Sequence, residues 1–196
     1  MKEYNDYGEL IFEGEYLNGK RNGKGKEYNK YGLIFEGEYL NGERNGKGKE
    51  YNRYGELLFE GEYLDEKRNG KGKEYNDNGE LIFEGEYLNG KRNGKGKEYN
   101  RYGLIFEGEY LDEKRNGKGK EYNDNGELIF EGEYLNWKKW NGKGKEYKYG
   151  KLIFEGEYLN GERNGKGKEY NLNDKLKFER EYFNGKKIKS KNLLNL

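Results

Sequence analysis

Two features of this chain have residue types and spacing that invite chemistry. Glu13 and Glu15 stand one residue apart, as a carboxylate pair for acid/base work can. Gly23-Lys24-Gly25 offers flexible backbone beside an ammonium, the raw material of a phosphate cradle. Context defeats both readings. The glutamate pair returns in seven copies, and two lysines follow it each time. That is a charge ladder, not one site whose surroundings drive two carboxyl pKa values apart. The Gly-Lys-Gly segment does not lead from a strand into a helix, whose N-terminus a phosphate loop needs. Composition removes most other catalysis. The 196 residues use 13 residue types; His, Cys, Pro, Ala, Val, Thr and Gln are absent, and Ser190 is the single serine. No Ser/His/Asp or Cys/His triad can be assembled. A His- or Cys-ligated zinc site is equally out of reach, and no disulfide can form. The sequence predicts a chain with no enzymatic activity, no cofactor and no metal.

The overall balance points the same way. Hydrophobic residues make up 31% of the chain, below the roughly 45–50% of ordinary domains. Charged residues reach 39%, yet they cancel to a net charge of +1, so no nucleic acid partner of the basic-patch kind is expected. No apolar run approaches the roughly 20 residues of a spanning helix, so no integral membrane segment is expected. The opening Met1-Lys2-Glu3-Tyr4 is polar and lacks a secretory pattern. The expected location is cytoplasmic, with attachment at the periphery of a membrane or the cytoskeleton as an extension. High charge with few aliphatics can mean disorder. Here the 21 tyrosines, 9 phenylalanines and strictly ordered charges argue for a fold.

What positions these residues is a repeat. Phe12-Glu-Gly-Glu-Tyr16 returns at Phe35, Phe59, Phe83, Phe106, Phe130 and Phe154, with a decayed copy at Phe178, at spacings of 23 or 24 residues. Asn22-Gly-Lys-Gly-Lys-Glu-Tyr28 recurs behind each of the first seven. Each copy holds two short segments of period two, bounded by Asn and Gly, which read as two strands of a hairpin. Three segments follow: a degenerate half repeat at 1–9, seven repeats at 10–175, and a degenerate capping repeat with a basic and apolar tail at 176–196.

Charge fixes an expected register. Placing Glu15 opposite Lys24 puts Glu13 opposite Lys26, Ile11 opposite Tyr28, Gly14 opposite Gly25, Phe12 opposite Glu27 and Tyr16 opposite Gly23. Pairing the second strand with the next repeat puts Tyr28 opposite Ile34, Lys26 opposite Glu36, Gly25 opposite Gly37, Lys24 opposite Glu38 and Gly23 opposite Tyr39. A slip of one residue would exchange the faces. One face then carries Phe12, Tyr16 and glycines 14, 23 and 25. The other carries the Glu/Lys ladder, edged by Ile11, Leu17 and Tyr28. The 23/24 alternation falls in the connection after Tyr28, where insertions are tolerated. Because Asn18-Gly19 becomes Asp65-Glu66 and Asp112-Glu113, the sequence predicts no need for positive φ at Gly19. Asn22-Gly23 is unchanged through seven copies, which predicts a special backbone there.

The pattern Phe12-Glu-Gly14-Glu-Tyr16-x-x-Gly19-x-x-Asn22-Gly23-x-Gly25 resembles the MORN (membrane occupation and recognition nexus) repeat, with Tyr where that family usually has Trp. The resemblance covers Tyr4 to about Asn184. It implies an all-β fold, an elongated single-layer antiparallel sheet of tandem β-hairpins. It also implies a non-catalytic scaffold that mediates protein–protein interaction or self-association. Peripheral binding of anionic phospholipid is the alternative, and an antitoxin-like inhibitor a third reading.

Candidate binding residues follow. A groove is expected along Phe12, Tyr16, Phe35, Tyr39, Phe59, Tyr63, Phe83, Tyr87, Phe106, Tyr110, Phe130, Tyr134, Phe154 and Tyr158; the competing reading is that these rings are the core. The turns after the first strands of repeats 1, 4, 6 and 8 each carry two excess cations. They make a basic rim that includes Lys20, Arg21, Lys91 and Arg92. Trp137-Lys138-Lys139-Trp140 lengthens one turn and holds both tryptophans, which suits an interface or a lipid contact. Arg180, Lys189 and Lys191 replace glycines of the last repeat, and a charged terminal strand blocks sheet extension.

Overall fold

The computed structural model describes residues 1–139 and 141–188. Two compact units divide the chain at Arg101–Tyr102. The first holds β1 (Lys2–Tyr4), β2 (Leu10–Leu17), β3 (Lys20–Asn29), β4 (Gly32–Leu40), β5 (Glu43–Tyr51), β6 (Leu57–Leu64), β7 (Lys67–Tyr75), β8 (Leu81–Leu88) and β9 (Lys91–Asn100). The second holds β10 (Gly103–Leu111), β11 (Lys114–Tyr122), β12 (Leu128–Leu135), β13 (Lys138–Lys139), β14 (Gly142–Lys148), β15 (Lys151–Leu159), β16 (Glu162–Tyr170), β17 (Leu176–Phe183) and β18 (Lys186–Lys187). Within each unit successive strands pair antiparallel, except that β13 and β14 do not pair with each other but both pair with β12. Among the described residues there is no helix. Each unit is a single layer of hairpins.

The hairpin register agrees with the charge argument over half of each strand. Phe12 faces Glu27, Glu13 faces Lys26 and Gly14 faces Gly25. It then departs: Tyr16 faces Arg21 and Leu17 faces Lys20, so neither the Glu15–Lys24 nor the Tyr16–Gly23 pairing forms. The cause is a bulge that places three residues of β3 against one of β2. Gly23 sits there with φ of +81°, the special backbone expected at Asn22-Gly23. In that conformation Gly23 leaves the aromatic face. A side chain at this position would collide with the Glu15 carboxylate. The equivalent Glu38 accepts a hydrogen bond from the Lys47 backbone N–H at 2.9 Å. Bulges of this kind re-aim side chains and raise local twist.

Between repeats the register holds at Gly23–Tyr39, Lys24–Glu38, Gly25–Gly37 and Lys26–Glu36. Tyr28 then faces Leu33 rather than Ile34, because the ladder shifts by one residue after Glu27. The described β2–β3 pairing also stops at Phe12–Glu27, short of Ile11 and Tyr28.

The turn at Asn18-Gly19 overturns a second expectation. Asn18 and Gly19 have φ of 50° and 77°, and the replacements keep that geometry: Asp65 48° and Glu66 68°, Asp112 47° and Glu113 74°, Asn136 48° and Trp137 73°. A two-residue loop between right-twisted strands demands positive φ at both central residues. The hairpin imposes this even on Glu and Trp, at a cost of roughly 1–2 kcal/mol for a residue with a Cβ. The variable connection is where the sequence places it. Its long form is held by an asparagine: Asn52 Oδ1 accepts from the Tyr54 and Glu56 backbone N–H groups at 2.9 and 3.0 Å. The short form is a two-residue turn at Lys30-Tyr31.

Candidate functional site

A single layer has no second sheet to cover its aromatic face, yet the phenylalanines from Phe12 to Phe154 are 0–2% exposed. Repeat three shows how. The Phe59 ring lies over glycine: a Cβ built on Gly61 would fall 2.7 Å from Phe59 Cζ. Tyr63 and Tyr87 wall it edge-on, with ring centroids at 5.7 and 5.2 Å. Arg68 closes the top, its guanidinium carbon 4.1 Å from the ring centroid. Edge-to-face pairs and cation–π contacts each add about 0.5–1.5 kcal/mol beyond area burial.

The lid is itself held. Arg68 donates to Glu50 from Nε at 3.2 Å and from Nη2 at 2.6 Å, a two-pronged ion pair. Tyr63 donates its hydroxyl to Glu50 Oε1 at 2.6 Å. The unit recurs as Glu27 with Tyr39 and Arg44, and as Glu146 with Tyr158 and Arg163. At the start of the chain Glu3 takes the same place, bound by Tyr16 and by Arg21. Some arginines also reach the next glutamate: Arg21 Nη1 lies 3.6 Å from Glu27, and Arg68 Nη1 3.5 Å from Glu74. On the opposite face the Glu/Lys ladder is looser, with Lys26–Glu36 at 3.9 Å and Lys97–Glu84 at 3.8 Å. There the firm bond is from a tyrosine, Tyr28 to Glu13 at 2.7 Å.

Sequence reasoning missed this network. A signal was present: the register already put Glu27 directly opposite Phe12, hence on the apolar face. A charge recurring there needs a partner. The Arg of the following turn supplies it.

The expected site residues sort accordingly. Tyr39, Tyr63, Tyr87, Tyr110, Tyr134 and Tyr158 are 3–7% exposed, and Tyr16 is half-buried. Apart from Tyr16, these rings, like the phenylalanines, present almost no surface; a partner on that face meets the Glu/Arg layer. Of the basic rim, Lys20 and Lys91 are exposed. Arg21 and Arg92 are half-buried and paired with Glu3 and Glu74, so they are lids and not free cations. Trp137 is 46% exposed, Lys138 is exposed, and Lys139 is half-buried against Glu121 at 3.1 Å. Trp140, Lys189, Lys191 and the rest of the tail lie outside the described residues. Arg180 lies 4.0 Å over the Phe178 ring, which is 43% exposed.

Two further features are apolar or concave. Leu17, Leu40, Leu64 and Leu88 end successive first strands of the first unit and are 49–58% exposed. An open cleft of about 580 Å³ lies between repeats three and four, lined by Glu62, Gly70, Lys71, Glu86, Leu88 and Gly94. Among the described residues no cluster of three or more His, Cys, Asp or Glu could hold a metal. No helix there is long and apolar enough to cross a membrane.

Electrostatics makes stability depend on pH at both ends. Burial would raise the Glu50 carboxyl, but hydrogen bonds from Arg68 and Tyr63 and the Arg68 charge outweigh it and hold it below the usual range. Glu27, Glu74 and Glu146 behave alike. A depressed carboxyl contributes stability above its unfolded value of about 4.3, and that contribution is lost as pH falls from there. Tyrosines move the other way. Burial and the bond to Glu60 push Tyr75 up to about 12, and burial with the bond to Glu50 pushes Tyr63 far up. Their contribution is present below about pH 10 and lost as pH rises through the folded values. Denaturant titrations across pH should give a plateau from about pH 5 to 10 with a fall on either side. Tyrosinate absorbance from the tyrosines bonded to glutamate, such as Tyr51, Tyr63 and Tyr75, should appear late, with unfolding. Ordinary titration of most tyrosines near pH 10, with the fold intact, would refute the buried network.

A family model described as the MORN repeat matches residues 12–30, 35–52, 59–80, 83–100, 106–127 and 154–171. The stretch it passes over includes the copy that begins at Phe130. No curated protein matches the chain.

Proposed function

Since the chain belongs to the MORN repeat family, whose repeats mediate protein and membrane interactions, we propose that it is a non-catalytic scaffold binding another protein, or a second copy of itself, through its sheets. The observation that carries this reading is the row of half-exposed leucines, Leu17, Leu40, Leu64 and Leu88, one per repeat. Exposed apolar surface in register with a repeat marks an interaction face. The internal neutralisation of the rim arginines also favours protein over lipid, because a guanidinium laid on Phe and forked onto Glu is not offered to a headgroup.

The lipid reading has one observation of its own: Trp137 is 46% exposed beside exposed Lys138. One set of measurements separates the two. Sedimentation of the chain across concentration, and recovery of bound protein, should both respond to Leu64→Glu/Leu88→Glu. Vesicles of neutral phosphatidylcholine, or with added phosphatidylserine, should bind little at low salt. Strong salt-sensitive binding to the anionic vesicles, lost in Trp137→Ala but kept in the leucine variant, would replace the scaffold reading with the lipid one.

A further inference from the structure

The sixth repeat, Phe130 to Tyr147, keeps its own ring pair, with Phe130–Tyr134 centroids at 5.7 Å, but departs from its neighbours in its turn, its lid and its contact with the next repeat. Its turn gains one residue, and Lys139 stands where the other six full repeats have Arg. Lys139 fills the place in part: its ammonium lies 4.3 Å from the Phe130 centroid and 3.1 Å from Glu121. A single ammonium cannot make the two-pronged pair that Arg68 makes with Glu50. The Tyr134 hydroxyl reaches Glu121 at 3.4 Å, against 2.6 Å for Tyr63 to Glu50. The ring pair to the next repeat widens as well, with Phe130–Tyr158 centroids at 5.6 Å against 5.2 Å for Phe59–Tyr87.

The backbone follows. In repeats one to five and seven the two core glycines pair directly, as Gly61 with Gly72. In repeat six the described pairing jumps from Glu131–Lys145 to Tyr134–Lys139. A Cβ built on Gly132 would stand 3.3 Å from Gly144 Cα, where the same construction on Gly61 gives 2.7 Å to Gly72 Cα. The second strand is broken into β13, of two residues, and β14. The turn places Trp137 at φ 73°, a conformation unfavourable for a bulky side chain.

From these shifts we infer that repeat six is a built-in weak joint of the second unit. The β12–β13–β14 segment opens locally while repeat seven, beyond it, stays closed. Such openings are drawn from regions where local packing and hydrogen bonding are thinnest. In an array held by nearest-neighbour contacts, one weak interface is where opening starts.

Hydrogen exchange of the full chain tests this. Backbone amides of 130–135 and 142–146 should exchange roughly ten-fold or more faster than the equivalent amides of repeats three and seven, a factor equal to about 1.4 kcal/mol. A variant with Lys139→Arg and Trp140 deleted restores the turn of the other repeats, and its exchange there should slow to theirs. If that variant does not fold, Lys139→Arg by itself should slow exchange part of the way. Equal protection of repeats three, six and seven in the unaltered chain overturns the inference. So does exchange that neither change slows.

Discussion

Gly61→Ala should destabilise the protein by about 3 kcal/mol, more than most single-methyl additions, which cost roughly 1–3 kcal/mol. The added Cβ would stand 2.7 Å from Gly72 Cα and 2.7 Å from the Lys71 carbonyl oxygen. Both are backbone atoms of the paired strand, so relief requires the strands to part. The Phe59 ring tip, also 2.7 Å away, would have to lift from its seat. Gly55→Ala is the matched control. Gly55 has φ of +81° with nothing within 4 Å, so its cost is conformational, roughly 1–2 kcal/mol. Denaturant midpoints of the two variants should differ clearly. Equal shifts would mean that the glycine pair is not a close contact.

Phe59→Ala should cost about 3–5 kcal/mol, the range for a buried ring. The loss goes beyond the ring's own burial. Removing it takes the floor from under Arg68 and the edge contacts from Tyr63 and Tyr87. Glu60→Ala, one residue on and on the opposite face, should cost about 1 kcal/mol, the worth of its bond from Tyr75. A small effect at Phe59 would show that the single layer does not bury its rings.

The architecture was legible in the sequence because period, charge and glycine placement all agree. Strict recurrence of Phe12-Glu-Gly14-Glu-Tyr16 gave the strands, and the Lys/Glu complement gave the register across the next repeat. What escaped was backbone curvature within the hairpin. Charge pairing assumes a straight ladder, and a bulge at Gly23 carries no charge signature. Substitution by Glu66 and Glu113 hid the positive φ of the turn, because hairpin geometry overrode residue preference there. The lid was hidden for a different reason. Arg21 sits among turn residues, and long side chains in a turn read as solvated. Only the position of Glu27, opposite Phe12, marked the Arg as drawn inward over the ring.

The claim on which all this rests is that a repeat closes its core with its own Arg and Tyr gathered on a Glu of the preceding repeat, as Arg68 and Tyr63 are on Glu50, in place of a second layer. A double-mutant cycle on Glu50→Gln and Arg68→Ala in the full chain measures it most directly. Both side chains are about three-quarters buried and share two hydrogen bonds. The account predicts a coupling of about 1.5–3 kcal/mol, the strength of hydrogen bonds to charged groups. Additivity to within about 0.5 kcal/mol, the behaviour of independent sites, would contradict it.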